Sequence, residues 1–384
     1  MAGFHLVASG ESCDICILNA CTVTATADAK VRHLLRLTHR FSPHAALVLT
    51  GCYGESAAAV RHSMPGATIL LCRDKTKLVP MLRELGYGGT NVQSVQARRT
   101  RAFVKAQEGC NNFCAYCIVP HVRGREKSRA PGDVVSEVAN RVREGYLETV
   151  LTGTEIGAYR CRRLGLVGLL RRILKETEVG RLRLSSLQPT EITPELLKLW
   201  SDSRLCPHFH LSLQSGSDGV LQRMGRHYDT AGYLAAVERI RAVMPEAAIT
   251  TDVIVGFPGE TDGEFEESYR FCSSLGFARI HVFTFSPRPG TPAAVMPAQI
   301  SAVVGRERSR RMLGLARDSA NAFHTRFFGR TLSVLWESEN DGVLAGYTEN
   351  YIRVYARIGN ELINQITAVK LIKPYQDGVW GSKI

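Results

Sequence analysis

Cys110, Cys114 and Cys117 place three thiols within eight residues, at the spacing C-x3-C-x2-C, in a loop that opens on Gly109 and carries Asn111 and Asn112. The loop follows an apolar, strand-like run, Ala102–Ala106. A zinc ribbon would need a second cysteine pair at a matching distance, and none follows. Three thiolates on one short loop can hold three irons of a [4Fe–4S] cube and leave the fourth iron open to another ligand. A zinc ion or a purely structural cluster is the alternative for this loop.

Past the loop, short apolar runs alternate with amphipathic stretches, the pattern of repeated βα units on a mostly parallel sheet. Strands are expected over Thr149–Thr152, Arg181–Ser185, His208–Leu213, Ile249–Val255 and Arg279–Phe285, and helices over Pro131–Glu144, Leu166–Thr177, Pro194–Ser201, Thr230–Val243 and Asp262–Leu275. With the strand before Cys110 these make about six βα units in an α/β chain. In such folds ligands gather at the carboxyl ends of strands. Polar or Gly-rich segments stand there: Gly153-Thr154-Glu155, Ser185–Pro189, Leu211–Ser217 and Gly256–Thr261. Each alone reads equally well as a turn and helix cap; four at successive strand ends favour a binding site. The basic loop Arg123–Arg129 is either a solvated surface or a contact for phosphates or a carboxylate.

Composition limits the setting. The chain has 384 residues, 45% hydrophobic and 22% charged, which excludes a disordered or fibrous chain and suggests two or three domains. No apolar run approaches the ~18–20 residues that span a bilayer, and residues 1–10 lack signal-peptide features. The expected location is cytoplasmic, where the eleven cysteines stay reduced. Cys72, Cys161, Cys206 and Cys272 then read as small core residues. The net charge of +12 favours a polyanionic partner.

The flanking regions differ from the centre. Near the start, the stretch Asp14–Thr24, which contains Cys21, and the apolar strand Ala45–Leu49, which runs on into Thr50-Gly51-Cys52-Tyr53, read as strand-then-cysteine segments joined by a basic helix, residues 27–41. From about Gly329, short β-rich runs (Thr331–Glu337, Gly342–Tyr347, Tyr351–Ala356, Ala368–Ile372) are split by turn residues, as in a small barrel of OB-like size. A basic helix bearing Arg306, Arg308, Arg310, Arg311, Arg317 and Arg326 is expected to lead into it.

The cysteine loop resembles that of the radical S-adenosylmethionine (SAM) superfamily, and the three-part order resembles the methylthiotransferases over essentially the whole chain. The segments Phe103–Cys114, Arg181–Ser186, Met224–Tyr228 and His281–Ala294 are closest to the type that acts on N6-threonylcarbamoyladenosine in tRNA, the MtaB type. The resemblance implies a methylthiotransferase N-terminal domain (1–92), a radical SAM partial (β/α)6 barrel (96–325) and a TRAM-like RNA-binding β-barrel (326–384). It makes Cys110, Cys114 and Cys117 the catalytic cluster ligands and Gly153, Thr154, Glu155, Ser185, Gln214 and Gly256 the candidate SAM contacts. Cys21 and Cys52 become two of three ligands of a second [4Fe–4S] cluster. The family's first strand and first cysteine are missing from the pattern here: Gly3–Val7 reads as the second strand of that domain, so its start is expected to be lost or misassigned, with Cys13 or Cys16 as the less favoured stand-in because both sit around an ordinary strand.

The implied reaction uses SAM and two clusters to place a methylthio group on C2 of the modified adenosine 3′ of the anticodon. The implied partners are the tRNA anticodon stem-loop, an electron donor such as flavodoxin or ferredoxin, and a sulfur source, with no membrane. Three rival readings are another tRNA adenosine as target, a ribosomal-protein side chain as target, and an RNA-binding homologue that has lost catalysis.

Overall fold

A computed structural model describes residues 4–5, 7, 11–20, 25–51, 64, 66–72, 75–88 and 100–384. Contacts divide the chain into two units. The first comprises Met1–Arg98, Tyr116–Gly124 and Ser286–Ala294; the second comprises Arg99–Ala115, Arg125–Phe285 and Val295–Ile384.

In the first unit, β1 (Ile15–Ala20), β2 (Ala46–Gly51) and β3 (Ile69–Cys72) form a parallel sheet in that order. The central strand reads as a continuous apolar run because both its faces are covered: Ala46, Leu47, Val48 and Leu49 are all buried. The helix Ala25–Phe41 crosses from β1 to β2 and packs Val31 and Leu35 against Leu47 and Leu49. A buried ion pair, Arg288 Nη2 to Asp28 Oδ2 at 2.7 Å, ties the 286–294 segment to that helix. Phe4, His5 and Val7 lie outside any strand, unlike the expectation for Gly3–Val7, where positions 3 and 6 are outside the described residues. Their flanks carry no alternating run long enough to nucleate pairing.

The second unit holds the βα repeats. Its strands are β4 (Arg101–Lys105), the short β5 (Gln107–Glu108) and β6 (Lys127–Ser128), β7 (Glu148–Thr152), the short β8 (Arg160–Cys161) and β9 (Leu164–Gly165), β10 (Arg181–Leu184), β11 (Ser186–Leu187), β12 (His208–Leu211), β13 (Ala248–Val255) and β14 (Arg279–Thr284). β4, β7 and β10 pair in parallel, as do β11, β12, β13 and β14. The run Arg181–Leu187 joins the two sets, since β10 pairs with β7 and, after a break at Ser185, β11 pairs with β12. The helices Pro131–Arg143, Leu166–Glu176, Thr230–Val243 and Asp262–Ser274 repeat the expected segments to within a residue or so. Their apolar faces are spaced at three and four residues: Leu166, Leu169, Leu170 and Ile173 in one, Tyr233, Ala236, Val237 and Ile240 in another. They close on Val104, Leu151, Leu182, Phe209, Ile249 and Ile280 of the strands in one core. Helix starts are set locally: Thr261 and Glu264 form a reciprocal capping box, and the Asp229 carboxylate accepts from Gly232 N–H at 2.7 Å.

After the long helix Ala302–Thr325, β15 (Thr331–Asn340), β16 (Val343–Thr348), β17 (Arg353–Ala356), β18 (Ile366–Tyr375) and β19 (Gly378–Lys383) close into a barrel in the order β15-β16-β17-β19-β18. The β17–β19 pair is parallel and the rest antiparallel. Trp336, Val334, Leu344, Val354 and Val369 fill it, and Phe323 of the preceding helix and Phe327 just after it join the same core. Gly346 permits a close crossing, because a Cβ there would stand 2.3 Å from the Leu335 carbonyl oxygen.

This barrel meets the amino-terminal ends of the parallel strands through a buried polar network. Arg183 forms a forked pair with Glu148 (2.7 and 3.1 Å) and donates to the carbonyls of Glu349 (2.9 Å) and Thr348 (3.3 Å). Arg101 pairs with Glu337 at 2.5 Å and lies over the rings of Tyr347 and Tyr351. The opposite, carboxyl ends of the strands are left to the site.

Candidate functional site

Gly109 (φ 76°) and Phe113 (φ 47°) adopt the left-handed conformation, which turns the chain sharply on either side of Cys110. Arg125 lies 4.1 Å over the Phe113 ring, Glu126 accepts from Asn111 N–H at 3.2 Å, and β6 pairs with β5. Arg129 donates to the Lys105 carbonyl (2.9 Å) and pairs with Glu137. The basic stretch after the loop is thus occupied in large part with bracing it. Cys114 is buried, while Cys110 and Cys117 are half-buried.

Glu155, at the end of β7, is the centre of the polar cluster. Its backbone N–H donates to Gln107 Oε1 (3.1 Å), while its carboxylate accepts from Asn112 Nδ2 (2.5 Å), from the Cys110 thiol (3.4 Å) and from Gln188 Nε2. Burial first, and the Glu155 charge after it, push the Cys110 thiol up to about 12. It is a neutral donor until a metal displaces the proton. Glu191 accepts from Gln188 N–H at 2.8 Å; burial and then Glu155 push its carboxyl up to about 8. Arg226 faces the other side of the loop: Nη1 donates to Cys114 Sγ (3.1 Å), Nη2 to Gln188 Oε1 (3.3 Å) and Nε to Tyr228 OH (3.0 Å). The Tyr228 hydroxyl donates in turn to the carbonyls ending β12, Ser212 at 2.5 Å and Leu213 at 2.9 Å.

Of the residues singled out from the sequence, Gly153 N–H donates to Ser185 Oγ at 3.2 Å, beside Glu155. Thr154 Oγ1 is buried with no partner among the described residues, an acceptor and donor available to a ligand. Gln214 (φ 69°) bridges β13 through its backbone, and Gly256 (φ 74°) donates to Glu260, which Arg308 holds at 2.7 Å. Among the described residues, no hydrogen bond joins either to the Glu155 cluster. Cys21 and Cys52 lie outside the described residues. Cys13 and Cys16 contact the hydroxyls of Ser42 and Thr38. Cys72, Cys206 and Cys272 are buried, and Cys161 packs against the core.

Gln107, Asn112, Glu191, Arg226 and Tyr228 join the site without having been singled out individually. A signal existed for some: Asn112 is inside the cysteine loop, and Arg226 and Tyr228 stand in the Met224–Tyr228 segment.

The donor set suits an iron–sulfur cluster: three soft thiols on one loop, two of them half-accessible, a guanidinium beside one sulfur, and, among the described residues, no second cysteine pair alongside. Residues 104–272 match the model of the radical SAM superfamily, and residues 1–71 match the uncharacterized protein family UPF0004. The Chlamydia pneumoniae threonylcarbamoyladenosine tRNA methylthiotransferase MtaB is 36% identical over 99% of this chain and 91% of its own length. The Bacillus subtilis protein of that name is 34% identical over 98% and 90%. A Syntrophotalea carbinolica tRNA-2-methylthio-N(6)-dimethylallyladenosine synthase is 33% identical over 100% and 94%. Among solved structures, the radical SAM methyltransferase TsrM from Kitasatospora setae shares the fold at TM-score 0.56 and 16% identity, over 74% of this chain and 66% of its own. With relatives 33–36% identical over nearly the whole of this chain and at least 90% of their own, the chain belongs to the radical SAM family of tRNA methylthiotransferases.

Proposed function

We propose that this protein places a methylthio group on C2 of N6-threonylcarbamoyladenosine, 3′ of the anticodon of tRNA. The observation that carries the reading is the Cys110–Cys117 loop, braced from below and flanked by Glu155 and Arg226, in a chain whose relatives named for this reaction match it nearly end to end. Cys110, Cys114 and Cys117 would hold a [4Fe–4S] cluster, which supplies the single electron that splits SAM into methionine and a 5′-deoxyadenosyl radical. Removing hydrogen from an aromatic carbon lies beyond acid–base chemistry, so a radical is the fitting agent.

The chain's own residues do the positioning. Glu155, oriented through Gln107 and Gln188, offers a carboxylate to an ammonium group such as that of SAM. Thr154 and Ser185 add hydroxyls beside it, with Gln214 and Gly256 farther along the rim. Arg226 offsets negative charge at Cys114 and is fixed by Tyr228. The six parallel strands form the partial (β/α)6 barrel, Cys21 and Cys52 serve a second cluster, and residues 326–384 act as a TRAM-like domain holding RNA. The electron donor is a flavodoxin or ferredoxin, and the protein works in the cytoplasm. No helix among the described residues is long and apolar enough to cross a membrane.

Two measurements test this. Reconstituted without oxygen, the protein should bind iron and sulfide, and the Cys110→Ala/Cys114→Ala/Cys117→Ala variant should lose about four irons per chain. In a deletion strain, mass spectrometry of digested tRNA should show the methylthio-threonylcarbamoyl nucleoside gone. Its persistence overturns the assignment, and loss of the dimethylallyl counterpart instead would move the target to the other adenosine.

A further inference from the structure

A groove of about 1060 Å³ runs beside the site, between the β8–β9 hairpin, the start of the helix Leu166–Glu176 and the segment Glu191–Leu196. Arg160, Arg162 and Arg163 stand exposed on this one hairpin. Among the described residues none of their guanidinium groups has a hydrogen-bonding or ionic partner, whereas the neighbouring Arg171 and Arg172 are paired with Glu195 and Glu176. Arg162 sits at the hairpin tip with φ 53°, where glycine would be easier by ~1 kcal/mol. Of the glycines lining the groove, Gly165 keeps open space beside it, with nothing nearer to a Cβ there than the Tyr159 carbonyl at 3.8 Å, whereas Glu191 and Leu164 fill the space at Gly157 and Gly168.

The groove adjoins the site. Glu191 lines it and accepts from Gln188 N–H, and Gln188 donates to Glu155 beside Cys110. A chain lying in the groove therefore passes one residue from the cluster around Glu155.

We infer that Arg160, Arg162 and Arg163 bind the phosphate backbone of the RNA substrate and lay it along this groove into the site, an inference that rests on the tRNA reading above. Three unpaired guanidiniums on one turn match a row of phosphates, and a concave trough suits a single strand better than the flatter face of an acidic protein. These contacts are charge-based and carry no sequence information, so they act on affinity and register rather than on base choice.

The test is the salt dependence of binding, with the reconstituted full chain and a fluorescein-labelled anticodon stem-loop RNA. Arg160→Ala/Arg162→Ala/Arg163→Ala should weaken binding about tenfold or more at moderate salt and lower the slope of log K against log salt by about 2 to 3. Arg160→Lys/Arg162→Lys/Arg163→Lys should keep most of the slope, which separates lost charge from a damaged fold. Arg143→Ala/Arg270→Ala/Arg310→Ala removes equal charge elsewhere and should leave the slope nearly unchanged. Equal loss in this control assigns the effect to net charge and overturns the proposal. So does a hairpin variant that binds RNA normally but can no longer be reduced by flavodoxin, since the groove would then serve a protein donor. If the unaltered protein shows no salt-dependent RNA binding, the tRNA reading falls, and the proposal with it.

Discussion

Arg226 shows how one side chain acquires a role through what fixes it. A lone arginine on a surface is worth little, but this one is anchored by Tyr228 and Gln188 and ends 3.1 Å from Cys114 Sγ. A charged donor at a ligating sulfur favours the more reduced, more negative state of a cluster. Arg226→Met should therefore lower the midpoint potential of the reconstituted centre. Losing ~1.5–3 kcal/mol of charge-assisted bonding corresponds to roughly 65–130 mV for one electron. An EPR-monitored redox titration reads this, and an unchanged potential would assign Arg226 to packing alone.

Among the elements, the helix Ala302–Thr325 links the parallel strands to the C-terminal barrel, and its last turn carries a pH-sensitive residue. His324 is buried near Phe323 with its Nδ1 unpartnered, and burial lowers its pKa from 6.5 to about 4. The folded imidazole therefore stays neutral between pH 6.5 and 4, while the unfolded chain takes up a proton. Stability falls as pH drops through that window, by roughly 2–3 kcal/mol at its lower end. His324→Phe should flatten the pH dependence of thermal unfolding between pH 6.5 and 4 relative to the parent protein. A profile with the same slope in both would show that His324 titrates normally in the fold.

Across the molecule, the C-terminal barrel is bound to the parallel strands by charges that cannot be left alone. Glu148 is fully buried and Arg183 nearly so, and Arg183 also satisfies two carbonyls of the barrel. Removing one partner of such a pair strands the other charge, at a cost of about 3–5 kcal/mol. In a Trp200→Phe background, which leaves tryptophans only in the barrel, Glu148→Ala should consequently lower the melting transitions of the sheet and of the barrel together, seen as coincident far-UV circular dichroism and tryptophan fluorescence. A barrel signal that melts unchanged would mean the two parts fold independently.

The local pattern alone was enough for the strand and helix order from Arg101 to Thr325, because burial on one face imposes a period of 3.6 on helices and near-continuous apolar runs on covered strands. It also marked the three-cysteine loop and the polar segment Gly153-Thr154-Glu155, since thiol spacing and position after a strand are properties of the chain itself. Short pieces escaped it: the helix Asp218–Arg223 and the hairpin around Arg162 are too brief to show a period. Only the folded molecule decided that Arg226 reaches Cys114 across 112 positions, that Gln188 turns back to Glu155, and that Arg183 is spent on the barrel rather than on a ligand. Such contacts join residues remote in sequence, and no pattern within a window encodes which remote partner closes the last hydrogen bond of a buried polar group. Packing does.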